Sequence, residues 1–157
     1  MPPAGRDVDM TRSTLSRELA RGIEWDCAQL LYRFYYLFDQ FRYDDMVGLF
    51  LSDGTWHRAG KALKGREAIL AALHERSATQ RVRHVITNVL VDAVDETTAE
   101  AVLYVTAYHH DSGVEDGPPP RIKSPYLLLV ATATLVKTGE TWRIAVQTMK
   151  REFEFAP

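Results

Sequence analysis

Apolar residues follow one period in the first half of this chain and another in the second. From Ile23 to about Phe41, the residues Ile23, Cys27, Leu30, Leu31, Phe34, Phe38 and Phe41 recur at steps of three and four, which places them on one face of an amphipathic helix. Asp44 is positioned to cap a short second helix carrying Met46, Val47, Leu49 and Phe50, with Ser52-Asp53-Gly54 as its stop. Thr55 to Arg58 reads as a short strand before a turn near Gly60, and Gly65 introduces a third helix in REAILAALHERSA.

Beyond that helix the pattern becomes extended. Strands are predicted over about 82–94, 99–111, 126–137 and 141–152, with turn signals at Asp95-Glu96 and Thr138-Gly139. Helices first and an antiparallel meander last make an α+β fold. The connection 112–123, with GPPP inside it, is too long for a tight hairpin. No repeat or second domain is visible, so residues 1–22 read as a polar N-terminal extension and 23–157 as a single domain. Leu127, Leu129 and Leu135 share one strand face and Leu128, Val130 and Val136 the other. Helices can cover only one of these faces, so the second is expected to be covered by another copy of the chain.

Composition narrows the function. With 157 residues, 46% hydrophobic, 25% charged and a formal charge of -2, the chain fits one globular domain and has no electrostatic footprint for nucleic acid. Its single cysteine, Cys27, excludes an intrachain disulfide. The first 22 residues lack the apolar core of a signal peptide, and the longest apolar run, YLLLVATATLV, is too short to span a bilayer. A soluble cytoplasmic protein without membrane contact is expected.

Few residues offer chemistry. His84 stands near the start of a strand, where strict alternation puts Ile86, Asn88 and Leu90 on its face. Asp39 falls in the last turn of the first helix, where its charge opposes the macrodipole, so a tertiary partner would explain it; a solvated aspartate beside the apolar stripe is the plainer alternative. His109 and His110 are adjacent and must point to opposite faces of their strand. The five histidines fall in no metal-binding spacing, and no phosphate loop, nucleophile elbow or dinucleotide fingerprint occurs, so no metal or cofactor is expected. Acid–base chemistry or plain binding remains.

The motifs FYYLFDQFRYDDMVGLF, SDGTWH, GREAI, RHVITN and GETWRI, in this order, resemble the SnoaL-like branch of the nuclear-transport-factor-two-like superfamily, and within it the scytalone dehydratases. The resemblance covers about Ile23 to the C-terminus. It implies a cone: a strongly curved antiparallel sheet packed against three or four helices around a deep pocket. In those dehydratases, and in the similar hexachlorocyclohexane dehydrochlorinases, an aspartate from the first helix pairs with a histidine that removes a proton. These positions fall on Asp39 and His84, and a second pocket histidine falls on His109. The ending REFEF is similar to the segment that closes the dehydratase pocket, which makes Phe153 and Phe155 lid candidates. The substrate-reading groups differ: Phe38 and Arg58 stand in place of two tyrosines, and Leu129 and Ala131 in place of a serine and an asparagine.

The resemblance therefore implies a lyase or isomerase that abstracts a proton from a hydrophobic aromatic, polyketide or steroid-like small molecule, other than scytalone itself. Arg58 would supply positive charge if it points inward and Asn88 an orienting hydrogen bond, while Tyr35, Trp56, Tyr104 and Tyr108 are candidate pocket walls. Aromatics on such elements are more often simple core. A non-catalytic reading stays open, as a ligand-binding module or a structural subunit like the β subunit of ring-hydroxylating dioxygenases. Both readings expect a homo-oligomer, a trimer rather than a dimer.

Overall fold

The computed structural model describes residues 15–115 and 117–156. Its elements run α1 (Arg17–Asp39), α2 (Tyr43–Val47), β1 (Phe50–Arg58), β2 (Lys61–Lys64), α3 (Arg66–His74), β3 (Gln80–Ala93), β4 (Thr98–Asp111), β5 (Leu127–Thr138) and β6 (Thr141–Glu154). The strands form one curved, unclosed sheet in the order β2-β1-β6-β5-β4-β3, and with the three helices this is the α+β class anticipated. β3 to β6 form the antiparallel meander, while β1 lies parallel to β6 and carries β2 as a hairpin.

The helix begins earlier than its apolar stripe. Ser16 caps α1 by accepting a hydrogen bond from the Leu19 amide at 3.2 Å, so residues 17–22 form its first turns. Residues 1–14 of the expected extension lie outside the described residues. Ile23, Cys27, Leu31, Phe34 and Phe38 are buried, as the three- and four-residue spacing requires. Phe34 packs edge-on against Tyr35, Phe50 and Trp56, which joins α1 to β1 through aromatic contacts each worth roughly 0.5–1.5 kcal/mol beyond area burial.

Two local expectations are corrected. Ser52-Asp53-Gly54 does not stop a helix; α2 ends at Val47, and the three residues lie inside β1, in a bulge between Phe50 and Thr55. A Cβ on Gly54 would stand 2.9 Å from the Ile144 carbonyl oxygen, so a bare backbone is needed where β1 presses on β6. The alternation of β3 also breaks. Asn88 has φ 52°, and the register with β4 shifts between Thr87 and Leu90. Before this bulge Val82, His84 and Ile86 turn inward; after it Val89, Val91 and Ala93 do. Among the described residues no helix is long and apolar enough to cross a membrane.

Candidate active site

α1 ends at Asp39 against β3, the edge strand of the sheet, and the aspartate that local structure leaves unsupported finds its partner there. Its Oδ1 lies 2.5 Å from His84 Nδ1, and its Oδ2 accepts the His84 backbone N–H at 2.8 Å. One carboxylate thus holds both the ring and the main chain of β3. The two side chains are 7% and 8% exposed, which shields these charge-assisted bonds from water. Phe38 stacks on the imidazole, with centroids 5.0 Å apart and planes 16° apart, while Tyr35 packs against it at 5.4 Å. Ring position, ring plane and one ring nitrogen are therefore all set by α1. Nε2 is the nitrogen left for a ligand.

His84 lines an open cavity of about 620 Å³ formed by residues of α1, β1, β3, β4, β5, β6 and the segment after α3. That volume lies in the range of small-molecule sites. Its walls include Phe38, Val82, Ala107, Leu127, Leu129 and Met149. His109 lines it too. It is the Cα partner of Val82, and His84 that of Ala107, so the two histidines are diagonal neighbours on one sheet face, with side-chain roots about 7–8 Å apart. The His109 ring contacts Tyr126, with centroids 5.4 Å apart. A shallower depression on the other side of the pair is lined by Tyr32, Tyr35, Tyr36, Asp39, Arg83 and His84.

The remaining candidates divide. Arg58 points inward: it lines the cavity, with its guanidinium carbon 5.6 Å from the Phe38 ring centroid and 5.3 Å from that of Trp56. Leu129 is a wall residue, whereas Ala131 is fully buried on the same strand face beneath it. Trp56 and Tyr35 are core residues. Trp56 is fully buried, and the Tyr35 hydroxyl accepts from Gln147 Nε2 at 3.1 Å, with burial pushing its phenol well above the ordinary range. Asn88 is exposed on the bulge, because the extra residue there ends the alternation that would have set it beside His84. Tyr104 and Tyr108 stand on the face opposite Ala107 and His109, as period two demands. Phe153 and Phe155 are exposed and are not among the cavity-lining residues, so the segment does not lie over the cavity in this conformation.

Arg76 is a cavity residue that sequence reasoning missed. It follows α3, where a cation is unremarkable because it complements the helix C-terminus. Its guanidinium carbon stands 4.2 Å from the Phe38 centroid, and its Nη1 donates to the Tyr43 hydroxyl at 2.6 Å. Among the described residues no group of three or more His, Cys, Asp or Glu side chains is placed to hold a metal ion.

This combination of curved sheet, helix-borne aspartate and cavity histidine agrees with the family assignment: residues 23–148 match the SnoaL-like domain, and the chain belongs to that family, which includes polyketide cyclases and dehydratases. Among solved structures, a candidate scytalone dehydratase from Novosphingobium aromaticivorans shares 17% identity, covers 90% of this chain and 93% of its own, and superposes with a TM-score of 0.76. A Mycobacterium tuberculosis protein of unknown function shares 20% identity over 84% of this chain and 73% of its own, with a TM-score of 0.71. Aln2 from Streptomyces shares 18% identity over 87% of this chain and 93% of its own, with a TM-score of 0.68. At these identities the likeness is one of fold. No curated protein matches the chain.

Proposed function

We propose that the protein is a small-molecule lyase or isomerase of dehydratase type, in which His84 is the general base and Asp39 its orienting partner. The observation that carries this reading is the buried Asp39–His84 pair at the wall of the cavity. Asp39 accepts the Nδ1–H, fixes the tautomer and stabilises the imidazolium. Nε2 then takes a proton from an activated carbon. In an elimination, the released electron pair forms the new double bond while the β substituent leaves with its own bonding pair; a departing hydroxyl takes up a proton from His109 and leaves as water. In an isomerisation, the same proton returns from His84 to another carbon. The apolar walls suit an aromatic, polyketide or steroid-like body.

A panel of aromatic and polyketide-like β-hydroxy ketones, followed by absorbance and by exchange of carbon-bound hydrogen for deuterium, tests the proposal. Turnover in the wild type should fall about 10²–10⁴-fold in His84→Ala and in Asp39→Asn. Wild-type rates in both variants would end it. We further propose a homo-oligomer, a trimer in preference to a dimer, formed through the outer sheet face, where Val85, Leu90 and Tyr104 are exposed. A monomer by light scattering would contradict that.

A further inference from the structure

Four cationic side chains line the cavity, and they fall into two kinds. Lys150 and Arg151 stand at the β6 end, and each has a carboxylate: Lys150 Nζ is 2.9 Å from Glu152 Oε1, and Arg151 is paired with Glu154. Arg58 and Arg76 have none within ion-pair distance among the described residues. Both guanidinium groups lie over the Phe38 ring instead. Asp39 is near enough for its charge to be felt by Arg76, yet both its oxygens are engaged by His84. Burial pushes each arginine below its ordinary pKa, and their mutual repulsion adds to the fall at Arg58. Arginine remains charged under such a shift, so the fold holds two half-buried positive charges side by side at the wall of a cavity. Two like charges without a counterion are costly, and an anion placed between them removes that cost.

We propose that the natural ligand carries a carboxylate and that Arg58 and Arg76 bind it. This rests on the reading of the cavity as a substrate site and names the substrate class. Phe38 fixes the geometry: its centroid is 5.0 Å from the His84 ring and 4.2 Å from the Arg76 guanidinium carbon, so base and anion site flank the same ring. The acidic carbon and the carboxylate of the substrate are therefore close along its skeleton, and its apolar body lies toward Leu129 and Met149. Arg76 is further held by Tyr43, which leaves its other N–H groups for the ligand. The two arginines are positioned to absorb negative charge that spreads toward the carboxylate as the proton leaves.

Equilibrium binding tests this without any turnover. The probes are 2-naphthoate, phenylacetate and 2-phenylpropionate, each against its neutral primary amide, titrated calorimetrically into the wild type, Arg58→Gln and Arg76→Gln. At least one acid should bind the wild type about tenfold or more tightly than its amide, the gain of one charge-assisted hydrogen bond. Each glutamine variant, shown folded by circular dichroism, should bring that ratio close to one. Equal binding of acid and amide, no binding of any acid, or a preference that survives in both variants would overturn the assignment. If one variant fails to fold, the wild-type ratio together with the other variant still decides. A preference for acids with unchanged turnover in His84→Ala would remove the base and keep the anion site; the reverse result would remove the anion site alone.

Discussion

Asp39 grips His84 at two points, taking the imidazole Nδ1 at 2.5 Å and the backbone N–H at 2.8 Å with different carboxylate oxygens. The last residue of α1 is thereby tied to the strand that carries the proposed base. A carboxylate at a helix C-terminus opposes the macrodipole, and these two bonds offset that cost.

The same pair should contribute to stability. Asp39→Asn keeps the volume but offers an N–H where one of two donors already points, so one bond is lost. Chemical denaturation should show a loss of ~1–3 kcal/mol with the fold retained. A variant as stable as the wild type would mean that the carboxylate's grip has no structural value.

Trp56 presents the opposite case. Its indole N–H is buried without an acceptor, and the Oε1 of Gln147, its Cα partner across β1 and β6, is buried without a donor. Trp56→Phe removes a donor that has no partner while giving up some packed area, so its net cost should stay within ~1.5 kcal/mol. Phe34→Ala, which opens the centre of the aromatic cluster, should cost ~3–5 kcal/mol. Equal losses in the two variants would contradict this account of the core.

The Asn88 bulge depends on a left-handed backbone. Asn88→Gly should be close to neutral, because glycine adopts φ 52° without strain, whereas Asn88→Val should cost ~1–2 kcal/mol. Thermal unfolding of the two variants checks this. A tolerated valine would show that β3 can shed its bulge.

Cys27 lies fully buried on α1, and burial together with the nearby Asp26 charge pushes its thiol up to about 12. The reactive thiolate is therefore scarce at neutral and mildly alkaline pH. Labelling by a thiol reagent should be slow in the native protein and should rise in step with unfolding as denaturant is added. Rapid native labelling would mean that α1 opens locally.

The outline of the fold was legible because both periods are long: a helix stripe recurring from Ile23 to Phe38 and four strands of twelve or more residues leave little choice of element. Asp39 was legible as a misfit, a charge at the wrong end of a helix. The bulge at Asn88 was not, since counting by twos carries no warning of an inserted residue, and every expectation beyond it shifted face. Ser52-Asp53-Gly54 reads as a turn by residue type, and only its contact with Ile144 shows why a strand needs glycine there. The alternation that sets His109 inward also turns Tyr104 and Tyr108 to the opposite face, so their place outside the cavity was legible in the sequence. Arg76 carried no signal, because a cation after a helix is ordinary until the sheet brings it over Phe38.

The proposed role of His84 requires that Asp39 hold it with Nδ1 protonated and Nε2 bare toward the cavity. A long-range ¹H–¹⁵N spectrum of imidazole-labelled protein at neutral pH reads this directly, with His84→Gln identifying the signal. Wild-type His84 should show the Nδ1–H tautomer, and Asp39→Asn should lose it. A proton on Nε2 in the wild type, or a pattern unchanged by Asp39→Asn, would contradict it.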